Sequence, residues 1–289
     1  VRAVTALAAL LLSALLSVGA NAQCSQQSLR LAVIPKKSME ALTLEFQPLL
    51  QRLTSTLHMP VEIVAASSYE SVVDAIVSGG VDIAWLGPAS YILAYQREPR
   101  IEPFASLTIN EGFFTPAGHH YQSLLMVRRD GPADVNAVRG EKVALSDPAS
   151  TSGGIVPNGE FAAEIGQPLS RYFASLVYTG AHDKSLDALL DGRVGAAFVS
   201  SVQADGYLNS GKIKQDTLRV LWRSAPIFYD PYVFSANVCA PLKARIRAAM
   251  LSEPQALAEF LASQHASGIM PVRHADYAPL LETMEKAAP

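Results

Sequence analysis

The sequence predicts an α/β protein of two lobes, each a mainly parallel sheet covered by helices, joined by two extended crossings. Three observations carry this. Residues 69–87 and 182–200 can be laid over one another without a gap. Short apolar runs of strand character precede both copies in the same order. Two further apolar runs, 121–127 and 230–236, leave the first and second units in extended form, as connections between lobes must.

Within the repeat, Asp74 falls on Asp187, Ala75 on Ala188, Gly79 on Gly192, Val81 on Val194 and Trp85 on Phe198. Each copy reads as a helix with an apolar stripe, a glycine stop and a short buried strand. Residues 61–64 and 176–178 are the strands feeding these helices, and residues 31–34 and 142–145 open the two units. Leu42, Leu49, Leu50 and Leu53 mark the apolar face of a helix after the first strand. Each unit is therefore β-α-β-α-β, which requires parallel pairing and helices on both sheet faces. The expected division is two Rossmann-like lobes: 23–126 with 237–289, and 127–236. Residues 244–264, rich in Ala and Leu, are expected to form a helical tail packed on the first lobe.

Arg2, the apolar stretch 3–20 and Ala20-Asn21-Ala22 read as a secretory signal. It is expected to be cleaved after Ala22 rather than kept as an anchor, because the apolar run is short and the Ala-x-Ala site is present. Export to a bacterial periplasm is the expectation. Asn21-Ala22-Gln23 before Cys24 is a poor lipoprotein signal. Removing Arg2 takes the net charge from −3 to −4. With no basic tract and no aromatic–basic interleaving, nucleic acid is not an expected partner. Beyond the signal, no apolar segment approaches the ~20 residues that span a bilayer. Cys24 and Cys239 are the two cysteines, and in an oxidising compartment they could form one disulfide pinning the mature N-terminus. Neither has a neighbouring ligand at metal spacing, and His119-His120 reads as a solvated loop pair, so no metal is expected.

Ligands in such sheets bind beyond the carboxyl ends of the strands. The most telling loop there is Asp147-Pro148-Ala149-Ser150-Thr151-Ser152-Gly153-Gly154, between an apolar strand and a helical segment expected over 155–165. First-turn N–H groups of a helix lack internal partners and sit at the positive end of its dipole. Three adjacent hydroxyls add donors without bulk, which points to an oxyanion. The segment has no Gly-Lys-Ser/Thr ending, so it is not a nucleotide loop, and no cofactor is expected. Tyr69 opens one repeat helix and His182 its partner, while Tyr121 begins an interlobe run, so all three are candidates to face the cleft. Lys36 and Lys37, in a loop beyond the first strand, could add positive potential at the mouth, with solvated surface lysines as the default expectation.

With these residues in view, the chain resembles the phosphonate/phosphite/phosphate-binding proteins of ABC importers, the PhnD-like family of type II periplasmic binding proteins. The resemblance covers essentially the whole mature chain. Its most specific feature is the Asp-Pro-x-Ser-Thr-Ser-Gly form of 147–153, supported by Val81-Asp82-Ile83-Ala84-Trp85, Gly180-Ala181-His182 and Pro226-x-x-x-Asp230-Pro231. It implies that Ser150, Thr151 and Ser152 hold phosphoryl oxygens, that Tyr69 and Tyr121 wall the site, and that His182 donates to an oxygen. Asp230 falls on a cleft carboxylate. Members that bind aminoalkylphosphonates carry a second acid where this chain has Gln203, so the resemblance implies a small oxyanion without a cationic tail.

The expected function is thus capture of a phosphorus oxyanion for an ABC permease, without chemistry. A sensor subunit serving a histidine kinase is the same fold with another partner. An exported hydrolase using Ser150 or Ser152, His182 and Asp230 is the alternative from a different class, and it lacks Gly-x-Ser-x-Gly.

Overall fold

The structure is a computed structural model that describes Cys24 and residues 26–287; the expected signal, 1–22, lies outside the described residues. Chain order gives β1 (Leu29–Val33), β2 (Val61–Val64), β3 (Ile83–Trp85), β4 (Glu102–Ile109), β5 (His120–Tyr121), β6 (Ser123–Arg128) and β7 (Lys142–Leu145). There follow β8 (Ser175–Tyr178), β9 (Ala196–Ser200), β10 (Leu218–Arg223), β11 (Ile227–Phe228), β12 (Pro231–Phe234) and β13 (Ala266–Pro271).

Two sheets carry the molecule, one in the order β13-β4-β12-β3-β1-β2 and the other β10-β6-β9-β7-β8. The β-α-β-α-β units appear in both: β1 pairs in parallel with β2 and β3, and β7 with β8 and β9. The sheets are nevertheless mixed rather than mainly parallel, because β12, β4 and β13 add antiparallel pairings to the first sheet, and β6 and β10 to the second. For β6 and β12 the reason lies in the crossings: each enters its sheet from the opposite lobe, arrives from the other end and runs antiparallel to the strands already there.

The crossing runs themselves are shorter than expected. Ser123–Arg128 is part of the second sheet and Pro231–Phe234 a central strand of the first. Between the lobes stands a two-stranded ribbon, Ile227 opposite Tyr121 and Phe228 opposite His120. We propose lobe limits that follow sheet membership, changing over before Ser123 and before Pro231 instead of after 126 and after 236.

The helices form for local reasons that the repeat shares. Tyr69–Ser78 begins at Ser68, whose hydroxyl accepts from the Ser71 amide while the Ser71 hydroxyl accepts from the Ser68 amide. It buries Tyr69, Val72, Val73 and Ile76, one stripe at helical spacing, and Gly79 ends it at φ 74°. His182–Leu190 buries His182, Ser185, Leu186, Ala188 and Leu189 in the same way. The repeat partners Trp85 and Phe198 are both fully buried. Trp85 stacks on Tyr232 with ring centres 5.7 Å apart, and Phe198 meets Phe161 edge-on at 5.2 Å.

The tail is helical as expected but broken, Ala240–Leu251 and Ala258–Ser263 around Pro254, and both pieces pack on the first lobe's Met39–Leu57 helix. Beyond it the chain adds β13 at the sheet edge. A final helix, Leu280–Ala287, then reaches the second lobe, where the Thr283 carbonyl lies against Gly159 so closely that any side chain at 159 would clash. Cys24 and Cys239 are joined in a disulfide with Cα atoms 5.8 Å apart, tying the segment ahead of β1 to the start of the Ala240–Leu251 helix.

Candidate functional site

Between the sheets lies a small cavity of about 10 Å³ of free space, roughly the room one water needs. Every residue singled out from the sequence, Ser150, Thr151, Ser152, Tyr69, Tyr121, His182, Asp230 and Gln203, lines it. Gly87, Ser200, Tyr229 and Lys36 line it as well.

The hydroxyl cluster starts the helical segment rather than preceding it. Helical geometry begins at Thr151, in two π-helical turns, Thr151–Ile155 and Pro157–Phe161, and not at Ile155 as the apolar spacing suggested. Ser150 is the N-cap, and its Oγ accepts from the Gly153 amide at 3.2 Å. The two glycines permit this tight seat. A Cβ on Gly153 would fall 2.3 Å from Ser146 Oγ, and one on Gly154 2.2 Å from the Asp147 carbonyl.

Thr151 bridges the lobes. Its Oγ1 accepts the Ala89 amide at 2.9 Å, so a second-lobe hydroxyl caps the first lobe's Pro88–Arg97 helix. Gly87 leaves room for this approach: a Cβ on it would stand 3.1 Å from the same oxygen, a tight contact. Having accepted from Ala89, the Thr151 hydroxyl keeps its own proton to donate. Ser90 Oγ donates in turn to the Ala149 carbonyl at 2.8 Å, and these two bonds hold the cleft shut. Tyr121 points its hydroxyl toward Ser152 and Thr151.

His182 stands opposite as a neutral donor. Nδ1 accepts from the Ser200 amide at 3.2 Å and lies 2.8 Å from Ser146 Oγ. A backbone N–H can only donate, so Nδ1 carries no proton and the ring proton is on Nε2. Nε2 lies 3.3 Å from Ser150 Oγ. Burial, and secondarily the Lys36 charge, push the imidazole down to about 3, so it is uncharged at neutral pH.

Tyr69 faces the cavity with a buried hydroxyl that has no partner of hydrogen-bonding geometry among the described residues, although Ser150 stands near it. Buried polar groups are rarely left this way, and one aimed into a cavity marks a place for a ligand atom. Asp147 spans the cleft differently: its carboxylate accepts the Ala149 amide at 2.8 Å and faces the Tyr69 backbone.

Lys36 corrects the expectation of a solvated surface lysine. It is only 6% exposed and its Nζ donates to Asp230 Oδ2 at 2.8 Å. The ammonium also sits 3.5 Å from the centre of the Trp85 ring. Burial lowers the lysine and raises the aspartate, and each is held back by the charge of the other. Lys37 is half-buried and pairs with Glu45 at 2.6 Å, so it too is less solvated than expected.

Sequence reasoning missed Tyr229 as a cavity residue and Ser146 as a support of His182, and it placed Lys36 and Ser200 in loops at the ligand end of the sheets without naming them as site residues. Two had a signal. Ser200 is the repeat partner of Gly87, so both ends of the repeat, Tyr69 with His182 and Gly87 with Ser200, meet at the cavity. Lys36 follows the carboxyl end of β1, where ligands gather in such sheets. Among the described residues, no group of three or more His, Cys, Asp or Glu is placed to hold a metal ion.

Over residues 31–277 the sequence matches the family of phosphonate periplasmic substrate-binding proteins of ABC transporters. The chain belongs to that family. Curated relatives include the phosphate-import protein PhnD of Mycolicibacterium smegmatis, 30% identical over 226 residues, with 73% of this chain and 66% of the relative covered. The phosphonates-binding periplasmic protein of Escherichia coli is 29% identical over 240 residues, with 81% and 68% covered. The matched part thus spans about two thirds of these relatives' length. Among solved structures, a binding protein component of a Pseudomonas aeruginosa ABC phosphonate transporter superposes with a TM-score of 0.80 at 20% identity, over 89% of this chain and 85% of that one. A Prochlorococcus marinus protein in complex with methylphosphonate gives 0.78 at 16%, over 90% and 98%. The two-lobed fold of this phosphonate-binding family is therefore the fold expected from the repeat. No helix among the described residues is long and apolar enough to cross a membrane.

Proposed function

We propose that this protein captures a small phosphorus oxyanion (phosphonate, phosphite or phosphate) in the periplasm and delivers it to an ABC permease. The observation that carries the reading is the convergence of uncharged donors on one closed cavity. The unpartnered Tyr69 hydroxyl comes from the first lobe, and the Nε2–H of His182 with the hydroxyls of Ser150, Thr151 and Ser152 from the second. Donors whose dipoles are fixed by folding stabilise a tetrahedral anion without reorganising when it arrives. The Lys36–Asp230 pair brings no net charge. Asp230, with Oδ2 engaged by Lys36, retains acceptor capacity for a P–OH proton. Ligand contacts to both lobes add to the Thr151 and Ser90 bridges and favour the shut state.

A hydrolytic role for Ser150, His182 and Asp230 is disfavoured on proton position. A base acting on Ser150 would need a free lone pair at Nε2, yet the bond from Ser200 to Nδ1 puts the proton there. Asp230 is committed to Lys36, not to the imidazole. We assign no catalytic residue.

Isothermal titration of the purified protein with phosphite, methylphosphonate, phosphate and sulfate tests the proposal. Micromolar or tighter binding of at least one phosphorus oxyanion is expected; no binding across the panel overturns it.

A further inference from the structure

Asp230 and its surroundings have the form of a cation site. The carboxylate is buried at 3% exposure, and the aromatic faces of Trp85 and Tyr229 stand beside it. An ammonium placed there gains a charge-assisted hydrogen bond and two cation–π contacts. In this protein the ammonium is its own: Lys36 Nζ lies 2.8 Å from Asp230 Oδ2, and 3.5 and 5.5 Å from the centres of the Trp85 and Tyr229 rings.

The position of this cage matters because of what lies outside it. An outer chamber of about 390 Å³ shares Lys36, Gln203 and Tyr229 with the anion cavity and is lined further by Lys37, Glu45, Lys212 and His265. A substituent on a bound oxyanion leaves the cavity past those three shared residues. A positively charged substituent would meet the Lys36 ammonium and the neutral Gln203. The nearby carboxylates are already taken, Asp230 by Lys36 and Glu45 by Lys37.

We propose that Lys36 is a specificity-determining residue, a tethered ammonium that fills the cation cage at Asp230 and so excludes oxyanions bearing a cationic tail. This rests on the oxyanion reading above and deepens it: the ligand class is narrowed to phosphorus oxyanions with no substituent or an uncharged one. It follows that removing Lys36 leaves a buried carboxylate without a counter-ion, a costly state that a ligand's ammonium relieves.

Propylphosphonate and 2-aminoethylphosphonate have the same length and differ in a terminal methyl against an ammonium. Titration of both into wild type and Lys36→Ala is the test. Wild type is expected to favour propylphosphonate by at least about tenfold, and Lys36→Ala to favour 2-aminoethylphosphonate by a comparable factor. The variant's melting temperature should rise with 2-aminoethylphosphonate and much less with propylphosphonate. Equal affinities in wild type overturn the inference, as does a variant that gains both ligands equally or gains neither. If wild type is too narrow for either ligand, the preference of the variant decides. Should Lys36→Ala not fold, the uncharged double variant Lys36→Met/Asp230→Asn replaces it. There the two ligands should bind alike, and a wild-type-like preference places the discrimination elsewhere and overturns the assignment. Failure of wild type to bind phosphite, methylphosphonate or phosphate would instead sink the oxyanion reading itself.

Discussion

The Ser200 amide donates to Nδ1 of His182 at 3.2 Å, and through that bond a backbone group at the end of β9 decides where the imidazole proton sits. The first prediction follows from it. Nitrogen-detected NMR should show His182 neutral, protonated at Nε2, and unchanged from pH 5 to pH 8. His182→Gln, which can still present an N–H near that position, should retain more affinity than His182→Ala. The alanine variant is expected to lose about 1–3 kcal/mol of oxyanion binding, the worth of a hydrogen bond to a charged group with its buried partner. A titrating His182 in that range would remove the basis for treating it as an uncharged donor.

The same burial makes stability depend on pH. The unfolded chain binds a proton at His182 near its ordinary value of 6.5, whereas the folded protein binds it only near 3. Between those values the unfolded state holds more protons, so stability falls as the pH is lowered through the window and is fully present above it. Asp147 and Asp230, raised by burial, act with the opposite sign at the acidic end. The informative quantity is therefore the difference between wild type and His182→Gln in urea unfolding at a series of pH values. It should favour wild type progressively less on going from pH 7 to pH 4.

Tyr69→Phe separates a binding group from a structural one. With no hydrogen-bond partner among the described residues, its buried hydroxyl contributes nothing to the ligand-free fold that phenylalanine would lose. The variant is expected to unfold at the same urea concentration as wild type or a slightly higher one, while oxyanion affinity falls by about 1–3 kcal/mol. Loss of stability together with affinity would mean the hydroxyl has a structural partner.

Thr151→Val removes both functions of one oxygen, the donor to the ligand and the cap on the Pro88–Arg97 helix in the other lobe. Affinity should fall by about 1–3 kcal/mol. Small-angle scattering of the ligand-free variant should show a larger radius of gyration than wild type, because a bridge that shuts the cleft is gone. Thr151→Ser, which keeps the hydroxyl, should behave nearly as wild type in both measurements.

Much of this site was readable because its residues announce themselves locally. Tyr69 and His182 each open a helix of the repeat, and one copy points to the other. Ser150, Thr151 and Ser152 lie together in a turn whose chemistry a short window contains. Lys36 was misplaced for the converse reason. Its fate is set by Asp230, 194 residues away, and nothing in Pro35-Lys36-Lys37 distinguishes the fully buried lysine from its half-buried neighbour. The early start of the second-lobe helix depends likewise on how closely Gly153 and Gly154 seat against Ser146 and Asp147, a packing fact no apolar spacing records. Residues 230–236 read as a connection between lobes because an extended apolar run looks the same in a crossing as in a sheet centre. Only the pairing of Val233 with Ala84 tells them apart.

The Leu280–Ala287 helix gives the last consequence. Leu281 and Met284 pack against the first lobe's core, while Thr283 rests on Gly159 downstream of the Ser150–Ser152 turn. Parting the two halves to let cargo out must strip this belt from one side or the other. Release rate can therefore be tuned from a spot that never touches the cargo, and substitutions along that helix offer evolution, or an engineer building a biosensor, a dial for residence time independent of selectivity.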